Sequence, residues 1–329
     1  MTKAHELIAV VLLLVALGTV EIARAAPDFL PAWNSGAVKT AILSYVTTVT
    51  DPESDDYVAA SDRVAVFDND GTLWAEQPMF FQFEFVLQRI RQLAPEHPEW
   101  RSQQPFQAAL EEDRETLLEQ GFRAFRPLAV AAQTGMTLEQ YHDMASAFLQ
   151  TAKHPDLGAR YIDLVYAPVV ELVAYLQRAG FKVFIVSGGD IGFIRAYAEQ
   201  VYGIPRENVI GSSVQYELKE TDAGLAVFRE GGSTAPNVRR FKAQNIQLHI
   251  GRRPILAVGN SDGDLAMLKY TSDGSGPSLV LLINHDDADR EFGYNEGAER
   301  VLALAPSQGW HTVSVRRDFN IVFPTQLTN

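Results

Sequence analysis

The chain has 329 residues, 47% of them apolar and 21% charged, with a formal charge of −13 and no cysteine. That is enough chain to bury one large core or two unequal ones, in a composition that is globular rather than disordered or fibrous. The acidic balance disfavours nucleic acid as a partner, because Lys and Arg must neutralise phosphates there, and the missing cysteine excludes a disulfide framework, a lipid-modified Cys and a thiolate metal site.

Lys3 precedes an apolar run from Ile8 to Val20, and Ala23-Arg24-Ala25 then Ala26-Pro27 follow it. This is the order of a secretory signal peptide. The run falls short of the roughly 20 residues that span a bilayer as a helix, which disfavours an uncleaved anchor. The expectation is a signal segment over residues 1–25, export to a periplasmic or extracellular space, and no stable membrane anchor after cleavage. A plain buried helix is the alternative.

Apolar residues at helical spacing run from Val38 through Ile42 to Tyr45-Val46, and the polar loop "TDPESDDYVAASD" follows. Val64 to Asp68 reads as the first strand. Strand signals then vanish from Glu76 to about Val165, where "FVLQRIRQLA", "FQAALEEDRETLLEQ" and "LEQYHDMASAFLQTA" carry helical periodicity. An insertion of that size reads as a helical cap over residues 76–165, splitting a core of 26–75 and 166–329.

Alternation then becomes regular. A helix from Ala167 to Ala179, a strand from Phe181 to Ser187, a helix from Ile191 to Val201 and a strand from Val209 to Ser213 precede a less regular stretch to Pro236. A strand from Ile255 to Gly259, a helix from Asp264 to Tyr270 and a strand from Leu279 to Asn284 complete the pattern. Short Val/Ile-rich strands separated by helices give an α/β class, a Rossmann-like, mostly parallel sheet flanked by helices. Ligands of such sheets sit beyond the carboxyl ends of the strands.

The first strand ends in Asp68-Asn69-Asp70-Gly71-Thr72. Two acids this close repel unless a cation intervenes, and thiol-free, oxygen-rich surroundings suit Mg²⁺; the bland alternative is a solvated Asp-Gly turn. The second strand runs into Ser187-Gly188-Gly189-Asp190, whose hydroxyl and amides at a helix start suit a phosphate, or else form a capped turn. The later strand ends in Asn260-Ser261-Asp262-Gly263-Asp264, an oxygen-rich turn in which Asp262 or Asp264 is an alternative helix cap. Its spacing is not that of a calcium loop, and no Walker, HExxH or GxSxG motif occurs.

These residues resemble the haloacid dehalogenase superfamily, and most closely phosphoserine-phosphatase-like hydrolases, in "FDNDGTLW", "VSGG" and "GNSDGD" taken in order from Val64 to Asp289. The resemblance implies Asp68 as nucleophile forming an aspartyl-phosphate, Asp70 as general acid and then base, and Ser187, Gly188 and Lys242 as phosphate ligands. Lys219 is the poorer candidate for the lysine. It also implies Mg²⁺ held by Asp68, Asp70 and the Asn260 to Asp264 turn, with a small phosphorylated substrate. Asn260 stands where the family carries an Asp, which removes one charge from the metal site, and Asp262 is an extra acid able to replace it. Asp70 favours phosphate esters over haloacids. A phosphomutase and a non-catalytic phosphate-binding protein of the same fold are the alternatives.

Overall fold

The computed structural model describes residues 29–324, and the expected signal segment lies outside them. Seven strands form one sheet: β1 Val64–Phe67, β2 Lys182–Asp190, β3 Val209–Thr221, β4 Gly224–Ala235, β5 Leu256–Gly259, β6 Leu279–Asn284 and β7 His311–Ser314. Their order is β4-β3-β2-β1-β5-β6-β7. All neighbours are parallel except β3 and β4.

β1 is buried along its whole length. Side chains alternate across a strand, so Ala65 and Phe67 join the hydrophobic cluster on one face of the sheet while Val64 and Val66 join that on the other. A strand apolar on both faces belongs in the middle of a parallel sheet covered by helices. From β1 the chain builds outward to β2 and β3, then returns to the other side of β1 with β5. β1 and β5 therefore flank the switch point where ligands of such sheets bind.

Helices Phe81–Leu93, Phe106–Leu110, Arg114–Gln120, Phe122–Gln133 and Leu138–Thr151 lie between β1 and β2. Thr137 and Gln140 start the last of these with a reciprocal capping box. The inserted helices share one continuous cluster with the sheet; Phe85 packs against Tyr141 and Phe148 of the insertion and against Phe193, which follows β2.

Two elements differ from expectation. The stretch up to Pro236 is the long antiparallel arm of β3 and β4, paired from Ser213 with Ala235 out to Thr221 with Gly224. The expected helix from Ile191 to Val201 is two short ones, Ile191–Arg195 and Ala198–Tyr202. The break falls at Tyr197, which leaves helical dihedrals (φ −136°, ψ −19°) and stacks its ring on Trp74 at 4.4 Å. Among the described residues no helix is long and apolar enough to cross a membrane.

Candidate active site

Asp68 follows β1, Ser187 lies in β2, Asn260 follows β5, and Lys242 sits on the helix Arg240–Ile250. Asp68, Ser187, Lys242, Asn260 and Asp264 are all buried. Lys242 Nζ lies 2.6 Å from Asp68 Oδ1 and 2.6 Å from Asp264 Oδ1. One ammonium thus faces two carboxylates, leaving the trio with a net negative charge when all three are ionised. Burial and Asp264 push the Asp68 carboxyl well above the usual range, and Lys242 only partly offsets them. Burial opposes the Lys242 charge, but Asp264 and Asp68 outweigh it and hold the ammonium protonated. Lys219 instead pairs with Glu217 and Glu230 on the hairpin.

Asp70 is held differently from Asp68. Its Oδ1 accepts from Trp74 Nε1 at 2.8 Å and from Asn69 Nδ2 at 3.3 Å. Burial raises its pKa against these bonds, which suits a group that must both give and take a proton. Asn69, between the two acids, is pinned by the hydroxyls of Tyr197 and Tyr202 at 3.2 and 3.4 Å, so the break before Tyr202 has a consequence in the site.

Ser187 is fully buried, and its Oγ accepts from the Gly189 amide at 3.0 Å. The Asp190 side chain caps the next helix, with Oδ1 accepting from Gly192 and Phe193 at 2.8 and 3.0 Å. Those amides are therefore engaged within the protein. The Ser187 hydroxyl and the Gly188 amide remain the candidates for an anion in this stretch.

The Asn260 to Asp264 turn separates its acids. Asp264 Oδ2 accepts the amides of Asn260 and Ser261 at 3.0 and 3.1 Å, so this side chain ties the turn to Lys242 and does not cap the helix Leu265–Ser272. Asp262 turns away: its Oδ1 accepts from Val301 N at 2.7 Å, in the first turn of the helix Glu299–Leu304. Replacing Asp262 with Ala therefore lowers stability by about 0.5–2 kcal/mol, as loss of a helix cap does, with little change in turnover; chemical denaturation and a rate assay check both. Asn260 Oδ1 accepts from Thr72 Oγ1 at 3.0 Å, while its Nδ2 donates to Glu76 Oε1 at 2.9 Å.

Asp68, Asp70 and Asn260 each offer an oxygen, and no thiolate exists in the chain. Among the described residues no three His, Cys, Asp or Glu side chains form a cluster of metal ligands. Mg²⁺ does not require one, because it keeps several waters and takes one or two carboxylates. Asp68, the Asp70 carbonyl and the Asn260 amide oxygen are the groups that fit such a cation, with Asp264 ordering their turn.

The structure places further residues beside the motifs. Glu76, at the start of the insertion, lies beside Asn260, and burial raises its pKa. Gln82 Oε1 accepts the Asp190 amide at 2.8 Å, whereas Phe81 is core, packed on Trp74 and Tyr161. His285 is buried with Nε2 at 2.8 Å from the Gly71 carbonyl and Nδ1 at 2.9 Å from Glu291 Oε1. Both ring nitrogens face oxygens that accept hydrogen bonds, an arrangement that favours the doubly protonated imidazolium. Burial opposes that charge, but Glu291 and Glu76 raise its pKa overall.

A raised folded-state value means that this stabilisation is fully present below about pH 6.5, the unfolded value, and is lost as pH rises through the folded one. His285→Gln therefore removes a fall in stability on the alkaline side; parallel denaturation curves for variant and wild type across that range contradict this. By contrast Asp286 bonds Ser314 and Arg316, Arg252 pairs with Asp62, and Arg253 stacks over Tyr270, all structural contacts. A cavity of about 280 Å³, lined by Gln150, Arg160, Asp163 and Gln200 among others, shares no residue with the carboxylate site. Chemistry rather than cavity size locates the site.

The sequence profile of the haloacid dehalogenase-like hydrolases matches residues 65–269. No curated protein matches the chain. Among solved structures, a conserved functionally unknown protein from Anaerococcus prevotii DSM 20548 aligns at 18% identity over 88% of this chain and 94% of its own, with a TM-score of 0.52. A protein of unknown function from Bordetella pertussis Tohama I aligns at 15% identity over 77% and 98%, with a TM-score of 0.47. A probable phosphoserine phosphatase from Vibrio cholerae aligns at 18% identity over 81% and 64%, with a TM-score of 0.41. The first shares the fold, and at that identity the likeness concerns architecture alone.

Proposed function

This chain belongs to the haloacid dehalogenase-like hydrolases, and on that premise we propose that it hydrolyses a small phosphomonoester through an aspartyl-phosphate on Asp68, with Mg²⁺ as cofactor. The observation that carries the reading is the pairing of two unlike acids at the end of the central strand. Asp68 Oδ1 is held by Lys242, and Asp70 Oδ1 by Trp74.

In the first step the free oxygen of Asp68 attacks phosphorus as the ester P–O bond breaks, and Asp70 gives its proton to the leaving oxygen. In the second, Asp70 takes a proton from water, whose oxygen attacks the same phosphorus and releases phosphate and the Asp68 carboxylate. Lys242 and the Ser187 hydroxyl, with the Gly188 amide, face the phosphoryl oxygens, over which the transition-state charge is spread. When bound, Mg²⁺ supplies the positive charge that lets an anionic nucleophile approach an anionic phosphate, and Asp68, Asp70 and Asn260 are the residues that would hold it.

The helices between β1 and β2 act in this reading as a cap over the site. Export is part of the proposal, on the strength of the apolar run from Ile8 to Val20 and the Ala-Arg-Ala that follows. The test is phosphate release from an aryl phosphate and a panel of amino-acid, sugar, choline and nucleotide phosphates, with and without EDTA. Release that stops on chelation and returns with Mg²⁺ is expected; release that survives thorough metal removal contradicts the cofactor assignment.

A further inference from the structure

Around the oxygens that fit a cation, part of the negative charge is already met by an ammonium. Lys242 lies against both Asp68 and Asp264, and Asn260 is neutral. Another carboxylate stands beside them. Glu76 Oε1 accepts from Asn260 Nδ2 at 2.9 Å and from the Tyr294 hydroxyl at 2.7 Å.

Those two donors are both neutral, so neither cancels the Glu76 charge. The imidazolium of His285 attracts Glu76 without a hydrogen bond to it, but its own hydrogen bonds go to Gly71 and to the Glu291 carboxylate, which balances its charge. A carboxylate attracts a donor, so Glu76 also fixes the Asn260 amide, with its nitrogen toward the acid and Oδ1 turned to Thr72.

Gly71 marks how closely these groups meet the motif that carries Asp68 and Asp70. A Cβ there would lie 2.0 Å from Asn260 Nδ2 and 2.5 Å from Glu76 Oε1. Only a residue without a side chain, at a φ of +68°, lets the loop, the amide and the acid converge.

We infer that Glu76 supplies the cation site with the negative charge that Asn260 does not, and sets through its hydrogen bond which amide atom Asn260 offers. The inference rests on the Mg²⁺-dependent reading above. Glu76 is a positioning residue here, acting on the metal through charge and through Asn260.

The test is Mg²⁺ binding to the metal-free full chain by isothermal titration calorimetry, with thermal melts confirming that each variant is folded. Glu76→Gln keeps an oxygen that accepts from Asn260 and Tyr294 and removes only the charge, so it isolates charge from hydrogen bonding. The Mg²⁺ dissociation constant is expected to rise about 10–100-fold, the range for groups that support a metal ligand. In Glu76→Gln/Asn260→Asp the charge moves to position 260 and the hydrogen bond reverses, so most of the lost affinity returns. A Glu76→Gln variant that binds within about twofold of wild type, while Asp68→Asn loses Mg²⁺, overturns the inference and leaves the hydrolase reading standing. A double variant that recovers nothing also overturns it. A wild-type chain that binds no Mg²⁺ and turns over in EDTA removes the reading and the inference together.

Discussion

Asp68→Asn abolishes phosphate release, a loss on the order of 10⁴-fold or more for removal of a covalent nucleophile, and leaves a folded protein that melts at or above the wild-type temperature. The two effects have one origin. Lys242 faces Asp68 and Asp264 at 2.6 Å each, so the wild-type trio carries an excess negative charge in a buried place. Burial and Asp264 raise the Asp68 pKa well above the ordinary carboxylate value.

The sign follows from linkage. A carboxyl raised in the folded state stabilises fully below its unfolded pKa, about 3.9, and loses that contribution as pH rises through the folded value. Wherever Asp68 is ionised it therefore costs stability, and the neutral amide removes the cost while keeping the shape. Each kcal/mol relieved moves the melting temperature by roughly 2–4 °C in chains of comparable size. Thermal melts and an aryl phosphate assay read both effects, and residual turnover near wild type sinks the nucleophile assignment.

Lys242→Met has the opposite effect on stability. It leaves Asp68 and Asp264 facing each other in a buried site without the ammonium between them. Removing one partner of a buried ion pair costs about 3–5 kcal/mol, and here two acids lose the same cation. Turnover falls as well, because the charge that faces the transferring phosphoryl group is gone. The deficit shrinks on acidification as the stranded Asp68 carboxyl, already raised by burial, takes up its proton, so denaturation at pH 5 shows a smaller difference from wild type than at pH 7. A variant equally stable at pH 7 contradicts the placement of Lys242 as the charge partner of both acids.

The sheet and its strand ends were legible because each signal is local. Val64 to Phe67 is apolar on both faces, and the acids follow at once; the same holds where Leu256 to Gly259 runs into Asn260. The β3 and β4 arm was missed although Val214, Tyr216 and Leu218 alternate with Gln215, Glu217 and Lys219, because it stands beyond the core with Tyr216 to Glu220 mostly exposed or half-buried. The break before Ala198 was hidden too, because what bends the chain there is the stacking of Tyr197 on Trp74, far away in sequence.

Within the site, the family resemblance singled out Asp68, Asp70, Ser187, Lys242 and Asp264 as candidates, and the structure brings Asp68, Lys242 and Asp264 into direct contact. Glu76, Tyr294 and His285 were out of reach. Their contacts join segments more than 180 residues apart, and nothing near any one of them in sequence announces the others. Asp262, which its motif left open between a metal ligand and a helix cap, accepts a helix N–H that only tertiary packing brings to it.

The central claim is that phosphate passes through Asp68. Acid quenching during turnover of a phosphomonoester, followed by borohydride reduction and peptide mass spectrometry, reads it directly. An acyl phosphate on Asp68 is reduced to homoserine at that position, in wild type and not in Asp68→Asn. Turnover that proceeds with Asp68 unmodified under the same quench contradicts the account.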